Sequence, residues 1–163
     1  LGYYFPGASL QSLTYGPMDD ESAPLQITYL FTAPHLARQR LGKEGRKQLI
    51  LPVPYPLLLS RRYVTAPTRK LPLLVGYVTP SQLSATVKLP EGAKLAQLGD
   101  PVTLSGFGSY KRTVSGADGQ VRLEVETNLP RQRVLPDRYP AFVDFAAHVD
   151  LAEEAYALIE LTP

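Results

Sequence analysis

The chain has 163 residues, with 17 Lys and Arg against 15 Asp and Glu, so its formal net charge is +2. A charge this small gives no reason to expect a nucleic-acid partner. The sequence has no cysteine, which excludes disulfides, thiolate metal sites and a cysteine nucleophile. No apolar run approaches the roughly 18 residues of a membrane span, so we expect no membrane span. Sixteen prolines favour strands and turns over long helices.

The first third of the chain mixes loops with candidate strands. Residues 1–23 are rich in Gly, Pro, Ser and Tyr and predict a loop-rich lead-in, with at most a short strand at residues 9–14. A strand is predicted at residues 25–32, where apolar side chains alternate. Residues 37–47 contain two glycines and five basic residues, which predicts an exposed loop. A strand at residues 47–53 and an edge strand or extended segment at residues 57–64 are expected to follow.

The strongest strand pattern lies further along the chain. Apolar and polar residues alternate over residues 82–89, and again from Val121 to Leu129. A period of two places alternate side chains on opposite faces of a strand, so the second run has one dry face and one wet face. Asp118-Gly119 lies between this run and a shorter alternating run upstream, and Asp-Gly favours a tight turn. The pattern predicts a β-hairpin whose dry face needs a second layer.

The period changes near the C-terminus. Apolar residues recur there at steps of three and four, which predicts an amphipathic helix over residues 136–157. The stripe comprises Tyr139, Phe142, Phe145, Ala146, Val149, Ala152 and Tyr156. The whole pattern predicts a mainly β protein, an antiparallel β-sandwich with one C-terminal amphipathic helix, as a single domain over residues 1–163. Because the chain begins at Leu1, without a signal segment, we expect it to be part of a longer protein.

Residues with catalytic or metal-binding chemistry are few. His35 and His148 are the only histidines, and they lack the spacing of a zinc site. The acidic runs at residues 19–21 and 153–154 lack the spaced ligands of a calcium loop, so we interpret them as solvated acids. No Gly-x-Ser-x-Gly sequence is present. We therefore predict no catalytic residue, no metal site and no cofactor.

Charge is distributed unevenly. Residues 1–70 carry nine basic and four acidic residues (+5), whereas residues 71–163 carry eight and eleven (−3). The simplest interpretation is solvated surface; the alternative is a basic face for an acidic partner. The candidate partner-contact residues are Arg38, Arg40, Arg46, Lys47, Arg61 and Arg62. The ten tyrosines allow a second hypothesis, because aromatic rings stack on sugars, although tyrosines also commonly cover the edge of a β core.

Several short motifs occur together in one order. They are Leu59-Ser60-Arg61-Arg62-Tyr63, Arg69-Lys70-Leu71-Pro72-Leu73, Val87-Lys88-Leu89-Pro90-Glu91-Gly92, Gly106-Phe107-Gly108-Ser109-Tyr110, the Asp118-Gly119 hairpin, and residues 134–142 with Phe145. This order resembles the region that follows the transglutaminase-like core in bacterial proteins of the DUF3857 type. The resemblance covers the chain from about Pro24 onward.

The resemblance implies a non-catalytic accessory domain in the periplasm or cell envelope. The family's catalytic Cys, His and Asp belong to the core, and this chain has no Cys, so no catalytic residue carries over. Two classes of function remain open: an interaction domain that contacts a protein partner or the rest of its parent chain, and a β-sandwich module that binds a glycan or peptide. A free-standing hydrolase is the third and least favoured class.

Overall fold

The computed structural model describes residues 2–17, 24–33, 36–42, 45–76, 78–117 and 119–161. Contacts divide the chain into two compact units, Leu1–Ala37 and Arg38–Pro163. A single domain over residues 1–163 stays a prediction, because compactness does not test whether the units fold separately. His35, Asp118 and the acidic run at residues 19–21 lie outside the described residues.

The first unit is built on one antiparallel hairpin. Its strands are β1 (Ser9–Tyr15) and β2 (Ile27–Thr32), so the short first strand and the clear second strand are both confirmed. Every residue of the two strands is exposed except Phe31, which is half-buried. The ring of Phe31 lies 5.0 Å from that of Phe5 and 5.7 Å from that of Tyr29.

The second unit contains the remaining twelve elements that the structure describes. They are β3 (Arg38–Leu41), β4 (Lys47–Leu51), α1 (Leu59–Tyr63), β5 (Leu73–Val75), β6 (Val78–Lys88), β7 (Lys94–Leu98), β8 (Val102–Ser105), β9 (Ser109–Ala117), β10 (Gln120–Leu129), β11 (Gln132–Val134), α2 (Tyr139–Glu154) and β12 (Ala157–Glu160). The strands form two four-stranded antiparallel sheets, β6-β10-β9-β8 and β3-β4-β12-β7, and a β5-β11 ribbon. The predicted mainly β, sandwich-like fold with one C-terminal helix is confirmed.

The β9–β10 hairpin has the predicted geometry. Ala117 pairs with Gln120, which leaves two residues in the turn, and Gly119 has a φ of 70°, where glycine is favoured. Along β10 the odd-numbered residues are buried and the even-numbered ones face solvent or are half-buried. The second sheet approaches this hairpin closely, since a Cβ at Gly116 would lie 2.4 Å from Cδ2 of Leu95 on β7.

Helix α2 spans Tyr139–Glu154 and is shorter than the predicted 136–157. At its end Ala155 is extended and the Tyr156 N–H donates to the Leu51 carbonyl at 2.8 Å, because the chain is joining the sheet as β12. The whole predicted apolar stripe is buried. Phe142 meets Phe107 edge-on at 5.4 Å and Tyr63 at 6.1 Å, so aromatic contacts fix the helix in the core.

Two local predictions were wrong. Residues 59–63 form the helix α1 instead of an edge strand, because the Asp150 carboxylate accepts hydrogen bonds from the N–H groups of Leu59 and Ser60 at 2.8 and 2.9 Å. Residues 38–41 form the strand β3 instead of a loop, because they pair with β4. The partner that decides α1 is distant in sequence, whereas β3 was missed because its sequence, Arg-Gln-Arg-Leu, has no apolar alternation.

Candidate interaction surface

The outer face of the sheet β3-β4-β12-β7 carries part of the predicted basic set. Register places Arg38 opposite Ile50, and Arg40 opposite Gln48. On the far side of β4, Ile50 pairs with Leu158 and Gln48 pairs with Glu160. Directly paired antiparallel residues share a face. We call this surface the basic sheet face, comprising Arg38, Arg40, Gln48, Ile50, Leu158 and Glu160.

The opposite face of the same sheet belongs to the core. Leu51, Ala157 and Ile159 are buried, the last with 1% of its surface exposed. Because β-strand side chains alternate between faces, these buried apolar residues fix which side chains lie on the other face, where Gln48 is itself only 7% exposed. The basic sheet face is therefore set by core packing and does not depend on loop conformation.

A hydrogen-bonded network joins the charges of this face. The Arg40 Nε donates to Gln48 Oε1 at 2.9 Å, and Gln48 Nε2 donates to Glu160 Oε1 at 3.1 Å. The other Glu160 oxygen lies 3.5 Å from Arg46 Nη1. The Glu160 carboxylate thus contacts the Arg46 guanidinium directly and is linked to the Arg40 guanidinium through Gln48, so two positive charges share one negative charge.

The centre of the basic sheet face is shallow and partly apolar. A depression of ≈ 170 Å³ lies here. It is lined by Arg40, Ile50, Gln97, Gly99, Ala155, Tyr156, Ala157 and Leu158. Beside it runs β3, whose four residues are exposed and which, within the described part of the chain, pairs with β4 alone. An apolar centre, a charged rim and an open strand edge are features of protein-contact surfaces.

The six predicted contact residues do not form one patch. Arg38 and Arg40 lie on the basic sheet face, and Arg46 reaches it through Glu160. Lys47 is exposed but follows the alternation of Leu49 and Leu51, which places it on the other side of β4. Arg61 and Arg62 were predicted to lie in an edge strand or extended segment. They lie instead in the last turn of α1, which is a separate element.

Arg38 also contacts the C-terminal end of α2. Its Nη2 donates to the carbonyl oxygen of Glu154. Cations are stabilised near helix C-termini, where carbonyl groups lack helical partners. This contact orients the Arg38 side chain while leaving the residue exposed.

A buried polar cluster lies behind the helix, and the sequence did not predict it. Arg112 on β9 is 3% exposed, and its guanidinium donates to the carbonyls of Ala152, of Ala155 at 3.2 Å and of Asp100 at 2.8 Å. Tyr110 lies two residues away on the same face of β9 and is 1% exposed. Burial raises the pKa of the Tyr110 phenol, and the charge of Glu153 raises it further.

Glu153 corrects our interpretation of the acidic run at residues 153–154. Glu154 is exposed, but Glu153 is only 4% exposed, and its carboxylate accepts a hydrogen bond from the Leu57 N–H at 2.9 Å. Burial raises the pKa of Glu153 from 4.5 to about 7, and the neighbouring Asp150 charge adds to this, whereas backbone hydrogen bonds lower it. The local sequence gave one hint, because Glu153 adjoins the apolar stripe at Ala152.

The remaining candidates offer little chemistry. His148 is exposed, and its Nδ1 donates to the Asp144 carbonyl at 2.6 Å. Among the described residues, no group of three or more His, Cys, Asp and Glu side chains is arranged to hold a metal ion. Neither helix in the described ranges has the length and apolar character needed to cross a membrane.

Comparison with known proteins gives a family but no activity. Neither the search of curated proteins nor the search of solved structures found a match. The profile of DUF3858, described as a domain of unknown function with a solved structure, matches residues 47–155. The matching family is therefore DUF3858. The resemblance to DUF3857 that was stated from the sequence motifs named the wrong family. The match covers more than half of the chain, from β4 to the end of α2, and on this basis the protein belongs to the DUF3858 family.

Proposed function

We propose that this chain is a non-catalytic accessory domain of a transglutaminase-like protein of the cell envelope, and that it acts through protein contact. The observation that carries the proposal is the basic sheet face, where a partly apolar depression adjoins Arg40 on the open edge strand β3. The order of sequence motifs supports a transglutaminase-like parent. The same resemblance supports a periplasmic or envelope location.

The chemistry of the described residues supports a non-catalytic role. An acyl-transfer site needs a nucleophile beside a base that a third group orients. Here the sequence offers no cysteine, and His148 is bonded to a backbone carbonyl of its own helix. The buried groups Tyr110, Arg112 and Glu153 are nearly inaccessible to a substrate.

A binding measurement tests the proposal. The transglutaminase-like core of the parent protein would be produced separately and titrated with the 163-residue chain in a calorimeter. We expect saturable binding that weakens when Ile50→Asp and Leu158→Asp place carboxylates in the apolar depression. Thr86→Asp on the outer face of β6 serves as the control and should bind like the wild type. A parent without such a core, or the absence of binding, would overturn the proposal.

A second candidate function is a module that binds a glycan or peptide. The observation that favours it is a set of exposed tyrosines in the first unit, Tyr3, Tyr4, Tyr15 and Tyr29. Exposed aromatic rings are suitable platforms for sugar rings. Quenching of tyrosine fluorescence by cell-wall oligosaccharides, lost in Tyr15→Ala, would favour this function over protein contact.

A further inference from the structure

A strained, proline-rich segment lies against the C-terminal half of α2. We call residues 52–60 the proline strap. It contains Pro52, Pro54 and Pro56, and its last two residues are the first two of α1. Tyr55 and Leu58 have φ values of 56° and 52°, in the left-handed region that side chains disfavour. Strain of this kind persists only where surrounding contacts hold it.

Two carboxylates from one face of α2 supply those contacts. Glu153 Oε2 accepts from the Leu57 N–H at 2.9 Å, and Asp150 accepts from Leu59 and Ser60. The Glu153 carbonyl also accepts from the Val53 N–H at 2.9 Å. Residues three apart on a helix are neighbours on its surface, so both carboxylates face the strap. The strap is thus held at both ends by a single turn of α2.

The surroundings of Glu153 determine how it responds to protons. The charged and titratable groups that interact with it are Asp150 on its own helix and Tyr110 on β9, and Arg112 in turn interacts with Tyr110. The strap contributes the N–H groups of Leu57 and Leu58, and its own titratable side chain is the Tyr55 phenol. Burial and the Asp150 anion oppose a second negative charge at this position, whereas the N–H groups of Leu57 and Leu58 favour it. Burial is the largest of these effects, so the closed state as a whole favours the protonated form of Glu153.

We propose that the proline strap is a proton-controlled latch, which is closed over α2 while the Glu153 carboxyl is protonated and opens as that carboxyl loses its proton to solvent. The inference is independent of the proposed interaction function, because it rests on the strap's hydrogen bonds, backbone strain and burial. In the closed state the pKa of Glu153 is about 7, whereas the ordinary value for a solvated glutamate is 4.5. Opening then releases a proton, so a rising pH favours the open strap.

Hydrogen exchange of individual amides between pH 5 and pH 8 tests the latch. After correction for intrinsic exchange, we expect the opening equilibrium at the Leu57 amide to rise about 70-fold over this range. Leu59 and Ser60 should follow Leu57, because the same opening exposes them. Amides in the centre of β10 exchange through global unfolding, which also exposes Glu153, so they should show the same pH trend but be protected by a larger opening free energy than the strap amides. This difference in opening free energy separates latch opening from global unfolding. Equal opening free energies at β10 and the strap, or no change at Leu57 with pH, would overturn the proposal.

Two variants identify the responsible group. Glu153→Gln keeps an oxygen acceptor for Leu57 but carries no charge, so its strap should remain protected at every pH. Glu154→Gln removes the exposed carboxyl next in sequence and should retain the wild-type pH profile. A pH-dependent strap in Glu153→Gln would contradict the assignment. If that variant does not fold, the wild-type profile and the Glu154→Gln control still decide between a local latch and global unfolding.

Discussion

At the scale of single residues, the buried ionisable groups define the chemistry of this chain. Arg112 is held by three carbonyls around the end of α2, so its charge is balanced by the negative end of the helix. Glu153 is buried against backbone N–H groups of the strap. Neither residue stands out in sequence, because an Arg in an alternating strand and a Glu near a helix end are both ordinary surface residues.

Arg112→Lys should destabilise the protein although the charge is kept. A lysine ammonium cannot reach three carbonyls with the planar fork of a guanidinium. We expect a loss of about 1–3 kcal/mol in urea unfolding, the range for leaving a buried acceptor unpaired. Arg122→Lys on the wet face of β10, where the side chain is 64% exposed, is the matched control and should change stability by about 0.5 kcal/mol or less. Equal effects in the two variants would mean that Arg112 is not buried.

Stability should also fall as the solution becomes more alkaline. In the folded protein the pKa of Glu153 is about 7, whereas its ordinary value is 4.5. The stability that this residue contributes is therefore complete below pH 4.5 and is lost as the pH rises through 7. Between pH 5 and pH 8 the free energy of unfolding should decrease by about 2–3 kcal/mol from this group. Glu153→Gln should flatten the profile measured by urea titration. A wild-type profile that rises over this range would contradict the raised pKa.

At the scale of elements, the period of the apolar residues predicted the elements that bury one continuous face. The β9–β10 hairpin and the stripe of α2 follow from alternation and helical spacing, because each buries one continuous face. The helix α1 was not predictable in this way, because its formation depends on Asp150, which is 91 residues from Leu59. For the same reason residues 57–60 were predicted as an edge strand or extended segment. The strand β3 pairs with the adjacent β4, but its Arg-Gln-Arg-Leu sequence lacks the apolar alternation that identifies a strand.

Phe142→Ala tests the attachment of α2 to the core. The ring is fully buried and contacts Phe107 and Tyr63, so its removal leaves a cavity among aromatic rings. We expect a loss of about 3–5 kcal/mol in urea unfolding. Leu151→Ala on the exposed side of the same helix should change stability by less than about 1 kcal/mol. A small loss for Phe142→Ala would place the helix outside the core.

At the scale of the second unit, strand pairing brings together contact-surface residues that are distant in sequence. The sequence predicted a basic set in the first half of the chain, and the structure separates it among β3, the residue before β4, β4 and α1. Only strand register showed that Arg38 and Arg40 share a face with the apolar pair Ile50 and Leu158. Register is a long-range property, which explains why candidate residues could be named but their common face could not.

The last prediction concerns how this surface meets a partner. Exposed charges raise association rates more than they raise affinity, and salt screens them beyond about 10 Å at 0.1 M. Binding to an acidic protein partner, or to the rest of the parent chain, should therefore slow as salt rises. The variant Arg38→Ser, Arg40→Ser, Arg46→Ser and Lys47→Ser should show the same slowing at low salt, while its melting temperature stays close to wild type.

A control variant separates local charge from total charge. Replacing Lys88, Lys111, Arg131 and Arg133 with Ser removes the same charge from exposed residues on other strands and loops. If the basic sheet face guides association, stopped-flow rates should fall for the first variant and much less for the control. Equal rates for the two variants would show that only net charge matters. Unfolding of the first variant would instead assign Arg40 and Arg46 a structural role through Gln48 and Glu160, because their network would then be holding β3 to the sheet.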